Sequence, residues 1–405
     1  MTPIIGTQNV DSSHLINRPD RRVGVRPADF LGCPPTDQGV KWSQVPWRRP
    51  ADAGILYPES IAKEVAAVTT TTLADPVDFQ TYGDYAPPTP KASPSAAWSP
   101  SARDPAAFQR PKYRFQDRIT ADGSSGYPAE VGRYHLYISW ACPWAHRSAI
   151  VRALEGIEDV VSLSAVDPIR DGRGWAFREG RGCGPDPVNG FRFLKEAYLA
   201  TDPEYDGHVS VPVLWDKQTS RIVSNNFPDI SLDLGSEFSQ WATSPLDLYP
   251  RALRTEIDGL NEQIYETVND GVYRTGFAGS QEQYERNVGT VFETLDELEQ
   301  RLTTSRYLFG DEITESDVRL WVTLARFDAV YYSHFKVNFR RVSDYPSLWG
   351  YARDLYQHPA FSSTTRFDHI KRHYYLTHGH LNPSRIVPTG PLLDWDAPTN
   401  RSRPS

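Results

Sequence analysis

A single cysteine, set where an apolar strand turns into a helix, constrains this chain more than any other feature. In YHLYISWACPWAHRSAIVRALEG, residues 134–156, the run from Tyr134 to Trp140 is aromatic-rich and has strand character. From Pro143 the spacing of Ala145, Ala149, Ile150, Ala153 and Leu154 changes to the helical period. Cys142 therefore falls where the first backbone N–H groups of a helix have no partner. Those donors and the helix dipole favour a thiolate, and Pro143 suits the first helical position because its missing N–H would have gone unpaired. On this motif alone two readings stay open: an activated nucleophile, or the small buried hydrophobe that a free cysteine commonly is. The position where a dithiol motif carries its second sulfur is Ala145. A mixed disulfide on Cys142 must then be resolved by a thiol from solution, which points to an enzyme using a low-molecular-weight thiol as co-substrate.

The 405 residues suffice for two domains with polar tails. A net charge of −8 argues against a nucleic-acid partner. Cys33, Cys142 and Cys183 are too few and too scattered for a disulfide framework or a zinc ribbon, which suits a reducing cytosol. The N-terminus lacks a basic start followed by an apolar core, and no apolar run is long enough to span a bilayer. These features predict a soluble cytoplasmic protein with no membrane partner.

Residues 1–105 form a polar, Pro-rich extension; Tyr82 to Asp104 reads as a linker, while Trp42, Trp47 and Tyr57 leave open a segment that wraps the folded part. Residues 106–240 run strand, helix, strand, loop, strand, strand, helix. The second strand is Val160–Val166 and the third Val209–Trp215, whose central Pro212 needs an explanation such as a cis peptide facing a thiol site. Arg221–Ser224 follows as a strand, then a helix through Ile230, Leu234 and Phe238, with Asn225 and Asn226 as caps and Pro228 in its first turn. From 246 to 391 the pattern is helical: one stripe through Leu253, Ile257, Leu260, Ile264 and Val268, a second from Tyr284 to Leu302, and a third opened by a capping box at Thr314–Asp317. Residues 392–405 are a tail. Trp175 reads as core packing or a pocket wall, and Cys183 as a loop thiol. Arg170, Arg173, Arg178 and Arg181 form a solvated loop or attract an anionic thiol or aromatic acid. His369 and His373 stand at i, i+4, but no acid completes a metal set, so a solvated basic face is expected and no metal.

The motifs GRYHLYISWACPWAHR, GWAF, VSVPVLWD, NDGVYRTGFA, LFGDEITESDVRLW, RFDAVYYSHFKVN and HIKRHYYLTH, in this order, resemble the glutathione transferase superfamily, and within it the glutathionyl-hydroquinone reductases or Xi class. The resemblance covers roughly residues 110–391. It implies an α/β plus all-α fold, with a thioredoxin-like domain followed by a helical one, assembled as a homodimer. It implies Cys142 as the nucleophile that takes a thiol from an S-conjugated hydroquinone, Tyr273 as proton donor to the departing ring, and Tyr331 and Tyr374 as stabilisers of the thiolate. Trp175, Val211 and Pro212 are implied to hold the thiol.

One element departs from that pattern. Where the family carries Glu-Ser to hold a γ-glutamyl carboxylate, this chain has Asn226-Phe227-Pro228-Asp229. Phe227 lacks the hydroxyl, Pro228 lacks an amide donor, and Asp229 adds a negative charge. The expectation is that the co-substrate is glutathione or, better suited to Asn225, Asn226 and Asp229, a sugar-linked thiol such as mycothiol. A general thioltransferase or dehydroascorbate-type reductase of the same fold, and a noncatalytic binding protein, are the alternatives.

Overall fold

A computed structural model describes residues 72–86, 113–399 and 401. Cys33, Trp42, Trp47, Tyr57 and residues 87–104 of the expected linker lie outside the described residues.

The first half is built on a four-stranded mixed sheet: β1 (Tyr134–Ile138), β2 (Ser162–Ala165), β3 (Val213–Asp216) and β4 (Arg221–Ser224), in the order β2-β1-β3-β4. β1 runs parallel to β2 and antiparallel to β3, and β3 is antiparallel to β4. All five β1 side chains are buried, which is why its sequence shows no alternation. His135 is held between the hydroxyls of Ser162 and Ser164, each at 2.8 Å, and burial pushes its pKa down to about 3, so it is a neutral cross-strand clamp. Arg133 donates to both oxygens of the buried Asp216, at 3.0 and 2.7 Å, and so ties the start of β1 to the end of β3.

Helix α1 is the short Phe79–Tyr82; α2 is Pro143–Leu154, α3 Lys195–Thr201 and α4 Phe227–Ser236. α2 and α4 pack together. The strands are shorter than the apolar runs: β1 stops at Ile138, β2 begins at Ser162, and β3 begins only after Pro212, whose missing N–H cannot join the ladder. The Val211–Pro212 peptide is cis, as the strand-centred proline suggests.

The second half is helical: α5 (Arg254–Ile264), α6 (Gly271–Gly276), α7 (Gln281–Arg301), α8 (Glu315–Arg326), α9 (Tyr332–His334), α10 (Pro346–Tyr356), α11 (Pro359–Thr364) and α12 (Phe367–Thr377). The first expected stripe does not continue as one α-helix. A π turn, Tyr265–Asn269, separates α5 from α6, and a second, Phe327–Tyr331, separates α8 from α9. The capping box opens α8 as expected: the Thr314 N–H donates to Asp317 at 2.7 Å. Asp317 is fully buried and also accepts from the Leu308 N–H at 2.9 Å and the Tyr351 hydroxyl at 2.8 Å. α2 packs on α8 and α11, so the helix that starts at Cys142 is shared between the two halves.

Residues 72–86, a short part of the expected extension, lie against the sheet domain. The Ala74 N–H donates to the Phe177 carbonyl at 2.9 Å, the Asp78 N–H to Asp171 at 3.0 Å, and the Gly172 N–H to the Gly83 carbonyl at 3.0 Å. A Cβ at Gly172 would stand 2.1 Å from the Tyr82 carbonyl oxygen, so only glycine lets the segment lie this close.

Candidate active site

Cys142 is the N-cap residue of α2, with φ −76° and ψ 121°, and Pro143 occupies the first turn. It is partly buried, and its thiol donates to the Val211 carbonyl at 3.5 Å, next to the cis peptide. The loop that presents it is fixed from the helical half. Arg326, at the end of α8 and fully buried, donates from Nε to the Ala141 carbonyl at 3.0 Å and from Nη2 to the Trp140 carbonyl at 3.1 Å. Its Nη1 donates to the Val322 carbonyl at 2.7 Å and faces His146 Nδ1 at 3.2 Å. Burial, reinforced by Arg326, holds His146 well below its ordinary pKa. The neutral imidazole therefore accepts at Nδ1 and carries its proton at Nε2, toward Thr364 Oγ1 at 3.2 Å.

Three phenols meet beside this loop. The Tyr331 and Tyr374 hydroxyls are 3.0 Å apart, and Tyr374 makes a very short hydrogen bond to the Tyr273 hydroxyl. Tyr273 follows the first π turn, Tyr331 closes the second, and Tyr374 lies on α12. Burial raises the pKa of Tyr331 and Tyr374, so both stay protonated, and Tyr331 is close enough to Cys142 for a thiolate there to raise it further. Tyr273 is the most exposed of the three at 8%. Its ring lies 6.2 Å from that of Trp144, two residues after Cys142. The four expected catalytic residues are thus brought together.

Of the expected thiol-binding residues, Val211 and Pro212 lie beside Cys142. Asn226 and Phe227 open α4, where Phe227 packs 4.8 Å from the Trp144 ring. Asn226 occupies the N-cap position but does not cap the helix; its amide donates to Asp229 at 2.6 Å. Trp175 is 4% exposed, with His373 stacked 5.3 Å from its ring centre and the Arg170 guanidinium 4.3 Å from it.

Two surface expectations are corrected. His369 and His373 are buried, because α12 packs under the 168–182 loop: His369 Nε2 meets the Arg181 carbonyl at 2.5 Å and His373 Nδ1 meets the Pro168 carbonyl at 2.6 Å. The arginines are not one solvated loop either. Arg173 pairs with Asp171 at 2.6 Å and Arg178 with Asp167 at 3.3 Å, while Arg170 lies between two aromatic rings. Among the described residues there is no group of three or more His, Cys, Asp or Glu that could hold a metal, and no helix long and apolar enough to cross a membrane.

Residues 281–354 match the glutathione S-transferase C-terminal domain. Over 301 residues the chain is 47% identical to glutathionyl-hydroquinone reductase YqjG of Escherichia coli, covering 73% of this chain and 92% of that protein. It is 44% identical to glutathionyl-hydroquinone reductase PcpF of Sphingobium chlorophenolicum, over 73% of this chain and 93% of that one. The glutathione-bound structure of YqjG superposes with a TM-score of 0.70, over 71% of this chain and 96% of that one. The chain belongs to the glutathionyl-hydroquinone reductases, the Xi-class glutathione transferases.

In this reductase, sequence reasoning missed Arg326, His146 and Tyr85, and named Arg170 only as one of four loop arginines. Arg326 stands five residues before Tyr331 and could have been flagged as a charge inside an otherwise apolar helix face. His146 sits in the cysteine motif itself, one turn after Cys142, a spacing that turns it to the same side of α2. No sequence signal separates Arg170 from its three neighbours.

Proposed function

We propose that this protein reduces S-conjugated hydroquinones, with Cys142 as nucleophile and a low-molecular-weight thiol as reductant, in a reducing cytoplasm and as a homodimer. The reading rests above all on the hydroxyl chain Tyr331–Tyr374–Tyr273 beside a cysteine at a helix start. Three phenol protons share two links, so one proton remains to leave the chain. With Tyr331 donating to Tyr374 and Tyr374 to Tyr273, that proton belongs to Tyr273, the most exposed of the three.

The Cys142 thiolate attacks the sulfur of the conjugate. The aryl carbon–sulfur bond breaks as the enzyme–thiol disulfide forms, and the aryl carbon takes the Tyr273 proton, which releases the hydroquinone. A second thiolate then attacks the mixed disulfide, regenerates Cys142 and departs as the symmetrical disulfide, so one free thiol is consumed for each conjugate reduced, its proton replacing the one Tyr273 gave up. Ionisation of Cys142 removes its hydrogen bond to Val211 and leaves that carbonyl to accept the amide N–H of the thiol's cysteine. Replacing Tyr273 with phenylalanine is expected to lower kcat on a hydroquinone conjugate about a hundredfold. Reduction of small disulfides, whose leaving thiolate needs no such proton, should change less than threefold; equal losses on both would remove Tyr273 from the role of donor.

The thiol is read from the start of α4. A cavity of about 370 Å³ lies there, walled by Asn226, Phe227, Pro228, Tyr113, Tyr265, Asp258, Asn261, Glu262 and Arg319. Arg319 is tied to Glu315 at 2.5 Å, and the Asn226 amide is spent on Asp229. Among the described residues that wall it, the one cation, Arg319, is already paired, so a carboxylate would meet Asp258 and Glu262, whereas the hydroxyls of a polyol find acceptors in those two carboxylates. Loss of one charge-assisted contact costs about 1.5–3 kcal/mol, roughly tenfold to a hundredfold in affinity. The reading therefore favours a sugar-linked thiol such as mycothiol over glutathione. Steady-state rates should be compared for glutathionyl and mycothiolyl conjugates of one hydroquinone, each with its own thiol. At least tenfold higher kcat/KM is expected for the mycothiol pair, and saturation by micromolar glutathione would sink that choice.

A further inference from the structure

Arg170 is a cation without a counter-ion beside the reaction centre. Among the described residues no carboxylate reaches it, although Arg173 and Arg178, close by in the same loop, are both ion-paired. Its guanidinium lies between two rings, 4.2 Å from the centre of Tyr85 and 4.3 Å from that of Trp175. Both partners are themselves fixed. The Tyr85 hydroxyl bonds His208 Nδ1 at 2.8 Å, and Trp175 is backed by His373. Nε of Arg170 is shut off from water with no acceptor, while the residue as a whole keeps part of its surface. A guanidinium sandwiched by its faces can bond only through its edge, and an edge with parallel N–H groups is the geometry that takes a carboxylate.

Cys142, Tyr273 and Tyr374 all lie within electrostatic reach of Arg170, which puts the guanidinium near the nucleophile and the phenol proposed to protonate the departing ring. The histidines packed nearby, His373 and His378, are held neutral by burial, so neither competes for an anion nor adds to the cation.

We propose that Arg170, clamped between Tyr85 and Trp175, is a specificity residue that binds a carboxylate on the aromatic part of the substrate. The preferred conjugates would then be those of hydroxylated aromatic acids rather than of neutral hydroquinones. This rests on the hydroquinone reading above, and residues 72–86 enter it directly, because Tyr85 supplies one face of the clamp.

The test uses the full-length protein and a matched pair, 2,5-dihydroxybenzoate and unsubstituted hydroquinone, as free ligands and as S-conjugates of one thiol. Binding of the free ligands is followed by quenching of tryptophan fluorescence. Wild-type protein is expected to bind the acid at least tenfold tighter than hydroquinone. Arg170→Met should weaken the acid by tenfold to a hundredfold and leave hydroquinone within threefold, and Arg170→Lys should retain part of the preference. The same pattern is expected in kcat/KM, carried by KM. Equal weakening of both ligands, or a wild type indifferent to the carboxylate, overturns the proposal. So does a preference that follows the carboxylate of the thiol instead of the ring. Binding selectivity without turnover of either conjugate would instead refute the hydroquinone reading and leave the role of Arg170 standing.

Discussion

Cys142→Ser is expected to lower turnover of a hydroquinone conjugate by about four orders of magnitude or more, to the uncatalysed background. A serine hydroxyl at this position has no accessible anion to attack sulfur. It is, however, a good helix N-cap, so α2 and its packing on α4, α8 and α11 should be kept and thermal unfolding should shift little. Intact-mass spectrometry after exposure to the oxidised thiol should give one adduct more on the wild type than on the variant. Cys183 is an internal control: burial pushes its thiol up to about 11, so near neutral pH it remains protonated and unlabelled. Retention of more than a hundredth of the activity would mean that another group performs the chemistry.

Arg326→Leu is expected to be the most damaging change outside the reacting groups. It removes the donors to the Trp140 and Ala141 carbonyls and the proton facing His146 Nδ1, all in a buried setting. Each acceptor left unsatisfied costs about 1–3 kcal/mol, so the three together should cost roughly 3–9 kcal/mol of stability, measured by denaturant unfolding. Single-turnover formation of the mixed disulfide should slow about a thousandfold with KM changed less than threefold, since a misplaced nucleophile forfeits orientation rather than binding. Arg326→Lys keeps the charge without the fork and should recover a small part of the rate. A variant as unstable as expected but with a normal rate of disulfide formation would reduce Arg326 to a purely structural residue.

The legible parts of this molecule are those whose physics is local. The strand-to-helix junction at Cys142, the cis proline at Pro212 and the capping box at Thr314 each depend on a few adjacent residues, and each lies where the sequence puts it. Contacts between distant segments could not be read. That the Trp140 and Ala141 carbonyls find Arg326, 185 and more residues away, depends on how α8 crosses α2. The i, i+4 histidines of α12 look solvated in sequence because nothing local announces that the 168–182 loop will fold over them. Which two of four neighbouring arginines are ion-paired is decided by Asp167 and Asp171, and where Arg170 is held is decided by a segment nearly a hundred residues earlier in the chain. The tyrosines were found through family resemblance; helical spacing alone gives them as core residues, and by burial they are.

The two π turns make the length of the chain part of the chemistry. Each holds one residue more than an α-helix would need, and one residue is about 100° of rotation. Wound instead as unbroken α-helix, the same residues would carry Tyr273 or Tyr331 about a quarter-turn away from Tyr374 relative to α5 or α8. The widened turns are therefore as much a condition of the three-phenol meeting as the phenols themselves, and a sequence change that let either turn close into regular α-helix without losing a residue would break it.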